Sequence, residues 1–129
     1  MGSVLNNTSM ALLQKSLDAV WLRQQVIANN IANAATPGYK SQRLEFEELL
    51  EKQVQKAGTG EADLQKAIDK AEPRIVREEN TTAQEDGNNV DLDRENIEMA
   101  RAQMQYGYLA NSLNAQLKRL KYVITEGRG

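Results

Sequence analysis

The chain has 129 residues, 40% hydrophobic but only 5% aromatic, which suits one domain with a thin aliphatic core laid along helices. It contains no histidine and no cysteine, so the usual proton shuttle, thiolate metal sites and a disulfide framework are all excluded. A net charge of −2 gives no whole-chain field directed at nucleic acid.

The first residues, Met1–Ser9, have no cationic segment followed by an apolar one, so no standard cleavable leader is expected. No apolar stretch approaches the length needed to cross a bilayer. From Met10 the apolar positions Leu13, Leu17, Val20, Ile27, Ile31 and Ala34 recur at spacings of three and four, with Gln24 interrupting. That is a helical seam of period ~3.5. Asn7, Thr8 or Ser9 can supply its N-cap oxygen. Its end is expected near Asn33, because Thr36-Pro37-Gly38 follows: proline disfavours helix in the residue before it, and glycine accepts positive φ.

Asn29, Asn30 and Asn33 are poor helix formers placed together at this end. They fit either a frayed terminus with a capping amide or a contact role, since a carboxamide both donates and accepts. Trp21 lies one position beside the seam and reads first as a partly buried core residue, with an interface anchor as the alternative.

The middle is weaker. Gln42 to Lys56 is compatible with a helix, Gly58-Thr59-Gly60 with a break, Glu61 to Glu72 with a short amphipathic helix, and Pro73 to Arg77 with a brief strand. Glu79 to Asn89 is polar, with Asp86-Gly87-Asn88 as a turn signal. Residues 41–95 carry eight bases against fifteen acids, marking a solvated, acidic segment between two mildly basic ends.

Asp91, Asp93 and Glu95 alternate in a way that invites a calcium loop. The required glycine is replaced by Asn96 and the required glutamate by Ala102, so helix capping is preferred, with Asp93 as the cap. The seam then returns at Met99, Ala102, Tyr106, Leu109, Leu113, Gln116, Leu120 and Val123. The two helices would be about 35–40 Å and 45–50 Å long, leaving about two turns of the second unpaired.

The fold expected is mainly all-α. Long N- and C-terminal helices pair as a coiled coil around a short irregular middle with room for a brief strand. The organisation expected is residues 1–40 for the first helix and its turn, 41–91 for a partly flexible acidic middle, and 92–129 for the last helix. No catalytic, cofactor-binding or metal-binding residue is indicated.

The run Ala28-Asn29-Asn30-Ile31-Ala32-Asn33-Ala34-Ala35-Thr36-Pro37-Gly38-Tyr39-Lys40 resembles the N-terminal signature of the flagellar rod and hook proteins. Ala35 departs from the Asp or Asn usual there. Asp86-Gly87-Asn88-Asn89-Val90-Asp91-Leu92-Asp93-Arg94-Glu95, followed by Met99-Ala100, looks like the proximal rod members of the basal-body rod family, as does the short middle. The resemblance implies a non-enzymatic subunit of the periplasmic rod. Such a subunit is exported without a cleavable signal through the flagellar type III gate and assembles with itself and other rod proteins. It would also meet MS-ring and rod-base adapter proteins, with no nucleic acid, small-molecule ligand or membrane insertion. Asn29, Asn30, Ile31, Asn33, Thr36, Pro37, Gly38 and Tyr39 would then form the signature loop. Leu13, Leu17, Val20, Ile27, Ile31, Met99, Tyr106, Leu109, Leu113 and Leu120 would form the assembly seam. Phe46 and Leu50, one helical turn apart, resemble an export-gate signal, although packing of Phe46 against the terminal helices explains it as well. A helical adaptor or chaperone of a type III export system, binding helices without polymerising, is the alternative.

Overall fold

The computed structural model of the chain describes residues 2–79 and 83–127; Asn80–Thr82, within the polar stretch, lie outside the described residues, as do Met1, Arg128 and Gly129. The first seam becomes helix α1 (Gly2–Ala32) and the second becomes α4 (Leu92–Gly127), 31 and 36 residues long. Between them run strand β1 (Gln42–Glu45), helices α2 (Glu47–Lys56) and α3 (Glu61–Lys70), and strand β2 (Arg74–Arg77).

Polar bonds set the pairing of the long helices. Gln116 Nε2 donates to Ser9 Oγ (3.1 Å), Gln24 Nε2 to the Ala102 carbonyl (3.4 Å) and Asn30 Nδ2 to Glu95 Oε2 (3.1 Å). One index falls as the other rises, so α1 and α4 are antiparallel. The same register carried on sets Gly2 opposite Val123, and the overhang of α4 is about one turn rather than two. The difference arises at the N-terminus. Asn7, Thr8 and Ser9 lie inside α1 and do not cap it.

The seam forms one core cluster, in which Val20, Ile27 and Ala102 are buried and Ile31, Met99, Tyr106 and Leu109 pack around them. A second cluster lies on the next face of α1. There Ala19 meets Leu44, Phe46 and Ala71, flanked by Leu22 and Leu50. Through it the middle segment is fastened to α1.

The helix expected from Gln42 onward begins only at Glu47. Gln42–Glu45 is extended and pairs antiparallel with Arg74–Arg77, with Leu44 opposite Ile75. Leu44 turns inward while Arg43 stays exposed, the alternation a half-buried strand requires. α2 starts after Phe46, whose carbonyl accepts from Leu50 N at 2.8 Å. Glu47 and Glu48 in its first turn and Lys56 in its last suit the helix dipole. The cap of α4 is Asp91 rather than Asp93: its Oδ1 accepts from Arg94 N at 3.2 Å, and its carbonyl accepts from Glu95 N. Asp93 sits within the first turn, where its charge still suits the dipole.

Candidate functional site

Proline and glycine end α1 as its sequence requires. Asn33 N closes on the Asn29 carbonyl at 3.1 Å, and Gly38 takes φ 76°. The chain that leaves the helix is then held by side-chain amides. Asn30 is 0% exposed and uses its whole hydrogen-bonding capacity. Its Oδ1 accepts from Gln42 N (2.9 Å) and from the Tyr39 hydroxyl (3.1 Å). Its Nδ2 donates to the Gln42 carbonyl (2.7 Å) and to Glu95 Oε2 (3.1 Å). One side chain thereby ties α1, the signature turn, β1 and α4 together.

Asn88 and Asn89 complete the junction from the other side. Asn88 Nδ2 donates to the carbonyls of Asn33 and Thr36, both at 2.8 Å, and its Oδ1 accepts from Val90 N. Asn89 Oδ1 accepts from Ser41 N and its Nδ2 donates to the Glu78 carbonyl, each at 2.6 Å. Gly38 N donates to the Asp86 carbonyl (2.8 Å), and Lys40 Nζ to the Gly87 carbonyl. The two sequence segments that carried the rod resemblance therefore lie against each other. Each such bond contributes only about 1 kcal/mol net, but a partner left buried and unmade costs about 1–3 kcal/mol, so losing one member costs more than its bond contributes.

Glu95 is the charged group of the junction, only 7% exposed. Burial pushes its carboxyl above the usual range, reinforced by the negative charges of Glu78 and Glu98, while the Asn30 bond and Arg94 act in the opposite sense. Burial also raises the Tyr39 hydroxyl, and the charge of Glu95 adds to the effect. Two turns back along α1, Arg23 grips Glu47 with two bonds, NH1 to Oε1 (2.8 Å) and NH2 to Oε2 (2.6 Å). Burial works against ionisation of Glu47, but the guanidinium outweighs it and holds the carboxyl below its ordinary value.

Of the other signature residues, Asn33 donates to the Asn29 carbonyl (2.8 Å) and accepts from the Thr36 hydroxyl (3.1 Å). Asn29, Thr36, Pro37 and Gly38 are exposed, whereas Ile31 faces the seam. Within the seam, Val20 and Ile27 are buried. Leu13, Leu17, Met99, Tyr106, Leu109, Leu113 and Leu120 are half-buried, each keeping an uncovered flank. Phe46 is 3% exposed in the second cluster and Leu50 half-buried beside it. Trp21, read first as a core residue, is instead 53% exposed, because Val20 and Ile27 take the α4-facing side of α1. Sequence reasoning did not single out Ser41 or Gln42, and it met Asn88, Asn89 and Glu95 only within the second rod-like segment, with Glu95 also in the rejected calcium pattern. Adjacent asparagines after a turn glycine, inside that rod-like segment, were the available signal for Asn88 and Asn89.

Residues 13–40 match the family model described as Flagella basal body rod protein. Over most of its length the chain is similar to proteins named Flagellar basal body rod protein FlgB. It is 34% identical to that of Bacillus subtilis, covering 90% of this chain and 92% of the relative. It is 31% identical to that of Borreliella burgdorferi, covering 90% and 95%. It is 30% identical to that of Escherichia coli K12, covering 94% and 96%. The family model covers the latter part of α1 and its turn, the relatives span nearly the whole chain, and the chain belongs to the FlgB family of flagellar basal body rod proteins.

Proposed function

We propose that the chain is a structural subunit of the proximal rod, self-assembling through its terminal helices into the drive shaft that carries torque from the MS ring toward the hook. The carrying observation is apolar surface that one chain leaves uncovered along α4. Met104 is 77% and Tyr108 74% exposed, and Ile97, Tyr122, Val123 and Ile124 are exposed as well. Large apolar side chains at such density along one helix mark an interaction surface. A contact that joins different faces of successive copies, and whose rotation does not close into a ring, builds a helical tube.

The activity is then packing rather than chemistry, with neighbours of the same kind, other rod subunits, and MS-ring and adapter proteins at the rod base. Among the described residues no helix is long and apolar enough to cross a membrane. Passage through the type III export gate in an unfolded state, to a periplasmic position, is part of the same proposal. Isolated basal bodies should contain the chain at the rod end nearest the MS ring, located by crosslinking to its neighbours or by direct imaging. Recovery only from the cytoplasm, bound to other export substrates, would replace the rod reading with the adaptor or chaperone alternative.

A further inference from the structure

Across the middle of the hairpin, α2 and α4 stand apart over α1 and leave an apolar valley of about 710 Å³. Val20 and Phe46 form its floor, Leu50 and Val54 one wall, Met104 and Tyr108 the other. Its α2 rim carries two acids, the exposed Glu51 and Glu47, whose carboxylate is already paired with Arg23. The intramolecular core stops at this floor, and the walls expose apolar side chains that none of the described residues covers.

The same chain holds a segment of complementary character. In the last turns of α4, Leu117 and Ile124 are exposed at i and i+7, with half-buried Leu120 at i+3. Exposed Lys118, Arg119 and Lys121 surround them. An amphipathic helix with anchors at this spacing is what an apolar helical groove accepts. Its bases would meet Glu51 on the rim, which favours encounter and fixes orientation more than it adds affinity.

We infer that the valley between α2 and α4 receives the Leu117–Ile124 end of α4 from a second copy of the chain. This rests on the rod reading and supplies it with one definite contact. The end cannot fold into its own valley, because Tyr108 in the wall and Ile124 are about 24 Å apart along one straight helix. The contact is therefore intermolecular and head-to-tail, so an open assembly of any length keeps one free valley at one terminus and one free helix end at the other.

The chain lacks cysteine, which makes the test direct. Val54 and Ile124 are both exposed, so Val54→Cys and Ile124→Cys should leave the fold intact. Basal bodies carrying the double variant, mildly oxidised, should yield disulfide-linked dimers, trimers and higher multimers that neither single variant yields. If the double variant is present in basal bodies but stays monomeric on oxidation, the contact is overturned while the rod reading stands. If it is excluded from basal bodies that contain the unsubstituted chain, the purified double variant is oxidised instead, and a monomeric product overturns the contact. Absence of the unsubstituted chain from basal bodies overturns the rod reading, and this inference with it.

Discussion

The side-chain amide of Asn30, near the end of α1, donates to the carboxylate of Glu95 in the first turns of α4 at 3.1 Å, and both side chains are buried. The bond joins residues 65 apart in the chain and fixes the closed end of the helical hairpin. Because Asn30 also holds both backbone groups of Gln42, it sets the position of β1 and so of the middle segment.

Asn30→Ala should destabilise the folded subunit by about 3 kcal/mol, since the Gln42 amide and carbonyl lose partners in a buried site. Denaturant unfolding of the purified chain reads this as a lower midpoint. Asn30→Asp should be equally damaging at neutral pH, where a second carboxylate faces Glu95, and should recover in mild acid. A cavity alone would give no such recovery.

Glu95 makes stability depend on pH in a defined direction. Its folded-state pKa is raised above the unfolded value, so the folded state binds the proton more tightly. The resulting contribution is fully present below the unfolded pKa and is lost as pH rises through the folded one. Glu95→Gln keeps an acceptor for Asn30 and removes the charge. It should raise the unfolding midpoint at neutral pH and flatten its dependence across the weakly acid range. A variant less stable than the parent at neutral pH would mean that the charged form is the favoured one.

Phe46→Ala removes the largest side chain of the second cluster and should cost about 3–5 kcal/mol in thermal unfolding. Trp21→Ala, at an exposed position, should change the stability of the isolated chain by no more than about 0.5 kcal/mol. The same Phe46 variant tests the export proposal by cell fractionation. Cytoplasmic retention at normal abundance supports the gate contact, and a normal periplasmic level rules it out.

Leu113→Asp places a charge within the half-buried seam, where it has no compensation and costs several kcal/mol. The variant should be missing from isolated basal bodies and its cells non-motile. Gln84→Asp, on an exposed position outside the seam, should assemble normally.

Gly87 adopts φ 85°, and a Cβ there would stand 3.4 Å from the Cα of Gly38. Gly87→Ala should therefore cost about 1–2 kcal/mol through backbone conformation. The loss should appear as faster amide exchange in the signature turn before any change in the seam.

The two long helices were legible in the chain because a seam of period ~3.5 is a local property, repeated over enough turns to leave no competing element. Pro37 and Gly38 marked the end of α1 just as locally, by forbidding one conformation and permitting another. β1 was not legible. Gln42–Glu45 has the composition of a helix start, and it is extended because Arg74–Arg77 pairs with it and Asn30 and Asn89 take the backbone of Gln42 and Ser41. The cap of α4 could be any of the nearby aspartates, and Asp91 holds it because the anchored segment before it ends there. Asn30 looked the same in sequence whether it frayed a terminus or filled a buried junction, since an amide's partners are not written beside it. Trp21 was misjudged for a related reason. Periodicity gives the angle between residues on a helix, but which angle faces the core is settled by how α1 is rotated against α4, and that rotation depends on every contact of the pair at once.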